Sequence, residues 1–218
     1  MLYFCPMKSL KAILAGNRYY FGFFLFFFGV GLIFLLTVGK AASFIDLNPY
    51  HRNILDTFFM YLTFLGDGVF AITICVIYLF MRRWSRACQL ISAFVVSAVL
   101  AQILKNVFSM PRPKQFFPPG QYPYFIDGVT HIGFASFPSG HSTTIFALAT
   151  LLAIFDKNKK GNVVYLLVAA AVGYSRIYLG QHFLGDVLTG SCIGVLTAVL
   201  VHWLFTTRLR SIPAFAHG

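Results

Sequence analysis

The sequence predicts an all-α protein of the polytopic membrane class, a six-helix transmembrane bundle. Three observations point there. Of 218 residues, 58% are hydrophobic and only 11% charged, with a mean hydropathy of +0.76. A water-soluble domain averages about 45–50% apolar and about 25% charged residues. Six apolar stretches are long enough, or nearly so, to cross a bilayer that needs about 20 residues per helix. Positive charges flank these stretches, and the length suits one membrane-embedded domain over residues 1–218.

The first stretch, Tyr19–Val38, exceeds the roughly 7–15 apolar residues of a secretory leader and no clear A-x-A site follows, so it is expected to stay in the chain. Its phenylalanines are expected to face lipid. The second, Leu55–Phe80, reads as one span containing Gly66-Asp67-Gly68. An acid at that depth is costly unless paired, so Asp67 is read as an interhelical hydrogen-bonding group or as support for a nearby site. The third, Ala87–Phe108, ends near Lys105 and is stopped by Pro111 and Pro113. The fourth and fifth, Gly140–Phe155 and Asn162–Leu179, are short, and Phe183–Thr206 is the sixth.

Charge sets the orientation. The net charge of +11 comes from 17 Lys+Arg against 6 acids, all of them Asp. In so apolar a chain this balance reads as positive flanks on membrane helices; no soluble basic face exists to bind nucleic acid. Lys8, Lys11, Arg18, Arg82, Arg83, Arg86, Lys157, Lys159, Lys160, Arg208 and Arg210 fall on one side, and Lys40, Arg52, Lys105, Arg112, Lys114 and Arg176 on the other. Cytoplasmic loops collect Lys and Arg, so both termini are expected in the cytoplasm. Cys5, Cys75, Cys88 and Cys192 lie far apart, with neither metal nor disulfide spacing, and read as small apolar fillers.

Three polar clusters then fall at one end of the bundle. Lys105 and Arg112-Pro113 follow the third span. Pro138-Ser139-Gly140-His141 opens the fourth, where Ser139 can cap free amides and Gly140 lets the backbone approach a ligand. A helix N-terminus favours anions, and His141 stands on its first turn. Ser175-Arg176 and His182-x3-Asp186 span the turn between the fifth and sixth helices. Spaced four apart, His182 and Asp186 can share a helix face and hydrogen-bond. A carboxylate on one ring nitrogen leaves the other free as nucleophile or base. Three cations, a helix N-terminus and two histidines suit a tetrahedral dianion.

Lys105-x6-Arg112-Pro113, Pro138-Ser139-Gly140-His141 and Ser175-Arg176-x5-His182-x3-Asp186 together resemble the three-part signature of the type 2 phosphatidic acid phosphatase superfamily. The resemblance implies a phosphatase with His182 as nucleophile, Asp186 as its partner and His141 as acid and base. Lys105, Arg112, Ser139, Gly140 and Arg176 would bind phosphate, with Asp67 a candidate supporting residue. It implies no metal and no cofactor, a lipid phosphate or diphosphate as substrate, membrane lipids as surroundings, and no obligate protein partner. Phosphatidate, phosphatidylglycerol phosphate, undecaprenyl diphosphate and lipid A phosphates all fit. The expected location is the inner (plasma) membrane, with the site on the extracytoplasmic face.

A phosphotransferase with an alcohol acceptor uses the same residues, and a non-catalytic carrier of phosphorylated lipids would leave His141 and the His182–Asp186 pair unexplained. A vanadium haloperoxidase shares a related signature, but six apolar spans disfavour it. The aromatic segment Lys114–Phe137 reads either as a cover over the site or as an interfacial anchor, and Asp127 and His131 within it have no expected role.

Overall fold

The computed structural model describes residues 9–208; Cys5, Lys8 and Arg210 lie outside the described residues. Ten α-helices and one 3₁₀ turn make up the order: α1 (Leu10–Gly16), α2 (Arg18–Val38), α3 (Lys40–Asp46), α4 (Asn53–Leu62), the 3₁₀ turn Thr63–Gly66, α5 (Gly68–Phe80), α6 (Trp84–Phe108), α7 (Pro113–Phe116), α8 (Gly140–Phe155), α9 (Val163–Tyr178) and α10 (Leu184–Thr207). No strand occurs among the described residues.

All six apolar stretches are helical, but they are not six equal spans. Arg18–Val38, Trp84–Phe116 and Leu184–Thr207 are each long and apolar enough to cross a membrane alone. The predicted second span is a correction. Asn53–Gly66 and Gly68–Phe80 form a pair bent by 53°, and together they make a fourth candidate. Asp67 is the reason. Its backbone is extended at ψ 149° and its carboxylate accepts from the Val69 N–H at 3.0 Å, so it caps a new helix rather than continuing the old one. Its hydrogen bond is thus local, not interhelical. Helices α8 and α9, with 16 residues each, and α5, with 13, are shorter than α2, α6 and α10, which have 21, 25 and 24.

The short helix α8 is the axis of the bundle. Every residue from Ser142 to Leu151 is buried. α10 packs along it most extensively, with α9 and α6 on its flanks. Two glycines permit the closest approach: a Cβ at Gly190 would lie 2.6 Å from the Ser139 carbonyl oxygen, and one at Gly194 would lie 2.5 Å from that of Thr143. Small residues of this kind let helix backbones meet inside a membrane. At the periphery, α2 buries Tyr20, Phe21 and Phe24 but leaves Phe23, Phe26, Phe27 and Ile33 exposed, as a lipid-facing helix should. Cys75, Cys88 and Cys192 are free thiols.

At the end of α8 away from Ser139, Lys159 donates to the last carbonyls, those of Ala153 and Ile154, at 3.0 and 2.9 Å. A lysine there satisfies helix-end acceptors. The other end of α8, with its free amides, is where the predicted site residues gather.

Candidate active site

Helix α8 begins where the sequence places it. Ser139 is the N-cap; its Oγ accepts from the Ser142 N–H at 3.3 Å and from the Ser142 hydroxyl at 2.9 Å. Both interactions use Ser139 as acceptor, so its own hydroxyl hydrogen remains to be donated. The Ser139 N–H donates to the Asp186 carbonyl at 3.0 Å, which ties the start of α8 to the start of α10. Lys105 reaches across from α6: its Nζ lies 3.9 Å from where a Cβ on Gly140 would sit. With Asp67 and His141 it lines a cavity of about 210 Å³.

A second cavity, of about 720 Å³, shares Asp67 and His141 with the first and is lined also by Thr63, His131, Arg176 and Gln181. The break in the second span therefore forms a wall of the site. Its closeness is steric as well: a Cβ on Gly66 would meet the His141 Cβ and carbonyl oxygen at 3.0 Å.

The two arginines converge from opposite sides. Arg112 sits in extended backbone before α7, its N–H donating to the Gly133 carbonyl at 2.8 Å. Its Nη1 donates to the Gln181 side chain at 2.8 Å and to the Gln181 carbonyl at 3.3 Å. Arg176, buried near the end of α9, donates from Nη1 to the Thr63 hydroxyl at 2.7 Å, while its Nε has no protein partner. Arg112 and Arg176 repel each other and both repel Lys105; Asp186 attracts Lys105 and Arg112. Asp67 attracts Arg176, so the pattern of forces is that of a positive focus with two carboxylates, Asp186 and Asp67, at its rim.

His182 and Asp186 face each other, though not as two residues of one helix. His182 lies in the turn before α10, and its Nδ1 stands 3.6 Å from Asp186 Oδ2, too far for a hydrogen bond and with no other partner. That oxygen instead accepts from the Ser136 hydroxyl at 2.6 Å and from the Phe183 N–H at 2.9 Å. Catalytic hydrogen bonds are often long in a free enzyme and tighten when ligand is bound. Burial pushes the His182 imidazole down to about 4, against the opposing pull of Asp186. The ring is therefore neutral near pH 7, with one nitrogen available to attack.

All eight predicted catalytic and phosphate-binding residues come together, and Asp67 borders both cavities. Sequence reasoning missed Ser136, Gln181 and Thr63, which hold Asp186, Arg112 and Arg176. None carries charge, and two of them sit in segments without helical pattern; only Gly66-Asp67-Gly68 signalled that the second span breaks beside the site.

The aromatic segment is fastened to the turn that carries His182. Phe117, Tyr122 and Phe125 pack with Phe44, and Phe117 also meets Phe183. Thr130 donates to the Leu179 carbonyl at 3.0 Å. Tyr122 donates to the Asn48 carbonyl at 2.9 Å, and Asn48 donates to the carbonyls of Ile177 and Tyr178 at 3.0 and 3.2 Å. Asp127 pairs with Lys114 at 3.2 Å.

Comparison with known proteins agrees with this geometry. Residues 86–210 match the sequence profile of the PAP2 superfamily. The chain is 29% identical over 168 residues to a lipid A 4′-phosphatase of Porphyromonas gingivalis, covering 74% of this chain and 71% of that one. Its fold resembles the crystal structure of Aquifex aeolicus LpxE, with a TM-score of 0.65 and 29% identity over 75% of this chain and 94% of that one. It also resembles a transmembrane PAP2-type phosphatidylglycerolphosphate phosphatase of Bacillus subtilis, with a TM-score of 0.59 and 26% identity over 90% and 95% of the two chains.

Proposed function

The chain belongs to the PAP2 superfamily, and from that membership we propose that it is a membrane-embedded lipid phosphate or diphosphate phosphatase working through a phosphohistidine on His182. It is a phosphoric ester hydrolase. The observation that carries the mechanistic reading is the focus itself: two arginines, a lysine and a helix N-terminus converge beside a neutral imidazole backed by a carboxylate.

Each step follows from a named group. Arg112, Arg176, Lys105, the Ser139 hydroxyl and the Gly140 amide hold the phosphoryl oxygens and spread the transition-state charge. Nδ1 of His182 faces Asp186, so Nε2 is the attacking atom. As the bond from Nε2 to phosphorus forms, the bond to the lipid oxygen breaks, and His141, which takes up a proton when the phosphate dianion binds beside it, delivers that proton to the oxygen. Neutral His141 then takes a proton from water, the hydroxide attacks phosphorus, and His182 leaves with inorganic phosphate released. The positive focus neutralises the phosphate without a metal ion.

The positive-inside asymmetry supports a cytoplasmic location for both termini and an extracytoplasmic site in the inner (plasma) membrane. Two assays test the chemistry. Purified protein should release phosphate from a panel of lipid phosphates in the presence of EDTA, and His182→Ala should lose that release by at least about a thousandfold, as expected for a covalent nucleophile. Quenched turnover should trap an acid-labile, base-stable phosphoryl group on His182. Phosphate appearing on an added alcohol instead of in solution would mark a transferase; activity lost to EDTA and restored by magnesium would end the metal-free mechanism.

A further inference from the structure

In the proposed cradle, the hydrogen bonds that hold both arginines come from neutral groups. Arg112 donates to the side-chain and main-chain oxygens of Gln181 at 2.8 and 3.3 Å, and Arg176 donates to the Thr63 hydroxyl at 2.7 Å. Among the described residues, neither guanidinium is within ion-pair distance of a carboxylate; Asp186 and Asp67 attract Arg112 and Arg176 only from farther off. Gln181 is buried, and its amide is fixed from the other end, where Nε2 donates to the Val129 carbonyl. Its main-chain N–H donates to the Arg176 carbonyl at 2.9 Å, so one residue links both arginines. Thr63, buried at the break of the second span, faces Arg176 from the opposite side.

A site built to take a dianion has a difficulty when it is empty. Arg112, Arg176 and Lys105 repel one another, and unrestrained side chains would splay apart. A carboxylate partner would restrain them, but it would cancel their charge and compete with the incoming phosphate. A neutral oxygen fixes the planar fork and leaves its charge for the ligand. Preorganised charge of this kind costs no rearrangement when the transition state forms.

We propose that Gln181 and Thr63 are positioning residues that hold Arg112 and Arg176 aimed at the phosphate while leaving their charge uncancelled. The proposal rests on the phosphatase reading for its kinetic arm; its binding arm stands alone.

The test uses the full chain and orthovanadate, a phosphate-shaped anion, with binding followed by calorimetry alongside kcat and KM. Thr63→Val, which keeps the shape and removes the hydroxyl, should weaken orthovanadate on the order of tenfold, as expected for a lost hydrogen bond to a charged group. KM should rise in parallel. Thr63→Ser, which restores the hydroxyl, should stay within about twofold of the parent. Gln181→Leu should weaken binding like Thr63→Val. Gln181→Glu should weaken it too, because an anion then sits beside Arg112. A Gln181→Glu protein that binds more tightly than the parent would overturn the proposal, as would a Thr63→Ser protein as weak as Thr63→Val. Melting temperatures separate a misfolded variant from a misaimed arginine, and the Thr63 pair decides if the Gln181 variants fail to fold. A parent chain that binds orthovanadate but hydrolyses no lipid phosphate would remove the phosphatase reading and leave the binding result standing. A parent that binds no orthovanadate removes both.

Discussion

At His182 burial and the Asp186 carboxylate pull in opposite directions, and burial wins, holding the imidazole down to about 4. An unperturbed histidine titrates near 6.5. In the proposed mechanism, protonation removes the lone pair that attacks phosphorus, so activity is lost as pH falls through the folded-state value. The acid limb of kcat/KM assigned to the nucleophile should therefore lie near pH 4, and a His182-dependent limb near pH 6.5 would contradict the burial argument. The residues gathered at the candidate site were legible in sequence because charged and titratable residues stand out in an apolar chain. Ser136, Gln181 and Thr63 did not stand out. A neutral polar residue has no charge signature, and its value here comes entirely from what lies across from it in space.

Among the elements, the start of α8 was readable because Pro138-Ser139-Gly140 breaks the chain just before a run that can only be a helix, and Ser139 does cap it. The second span was misread for an equally physical reason. Hydropathy averaged over Leu55–Phe80 is blind to one capping side chain, yet Asp67 is enough to end one helix direction and begin another. Where α8 meets α10, the fit depends on a missing side chain. Gly190→Ala places a methyl 2.6 Å from the Ser139 carbonyl oxygen. Backbone cannot yield as a flexible side chain can, so the helices must part, at about 1–3 kcal/mol for overpacking of this kind. That movement shifts Ser139 away from Asp186, which its N–H now touches. Gly190→Ala should lower both the melting temperature and kcat, although residue 190 touches no substrate; unchanged kcat in a destabilised variant would show that the two helix starts are not coupled.

On the scale of the molecule, the shell of the bundle includes the full-length α2 and α6, while its interior combines the short α8 with the full-length α10. Topology is the prediction that belongs here. Of single cysteines placed at Lys157 and at Gly120, in a background without Cys5, Cys75, Cys88 and Cys192, the one at Gly120 should react with an impermeant maleimide in intact cells and the one at Lys157 only after the cells are permeabilised. Labelling of both from one side would contradict the single crossing, α8, between them and the proposed orientation. The shell also has a geometric consequence. At about 1.5 Å per residue, the 13 residues of α5 and the 16 of α8 and α9 reach roughly 20 and 24 Å, whereas the hydrocarbon layer is about 30 Å thick. The taller α2 and α6 stand around them. With their other ends at the far boundary, the ends of α8 and α9 that carry His141 and Arg176 stop about 6 Å beneath the near one. On the proposed mechanism the phosphate of a lipid sinks by about that depth to react, which makes local thickness of the bilayer part of the reaction coordinate.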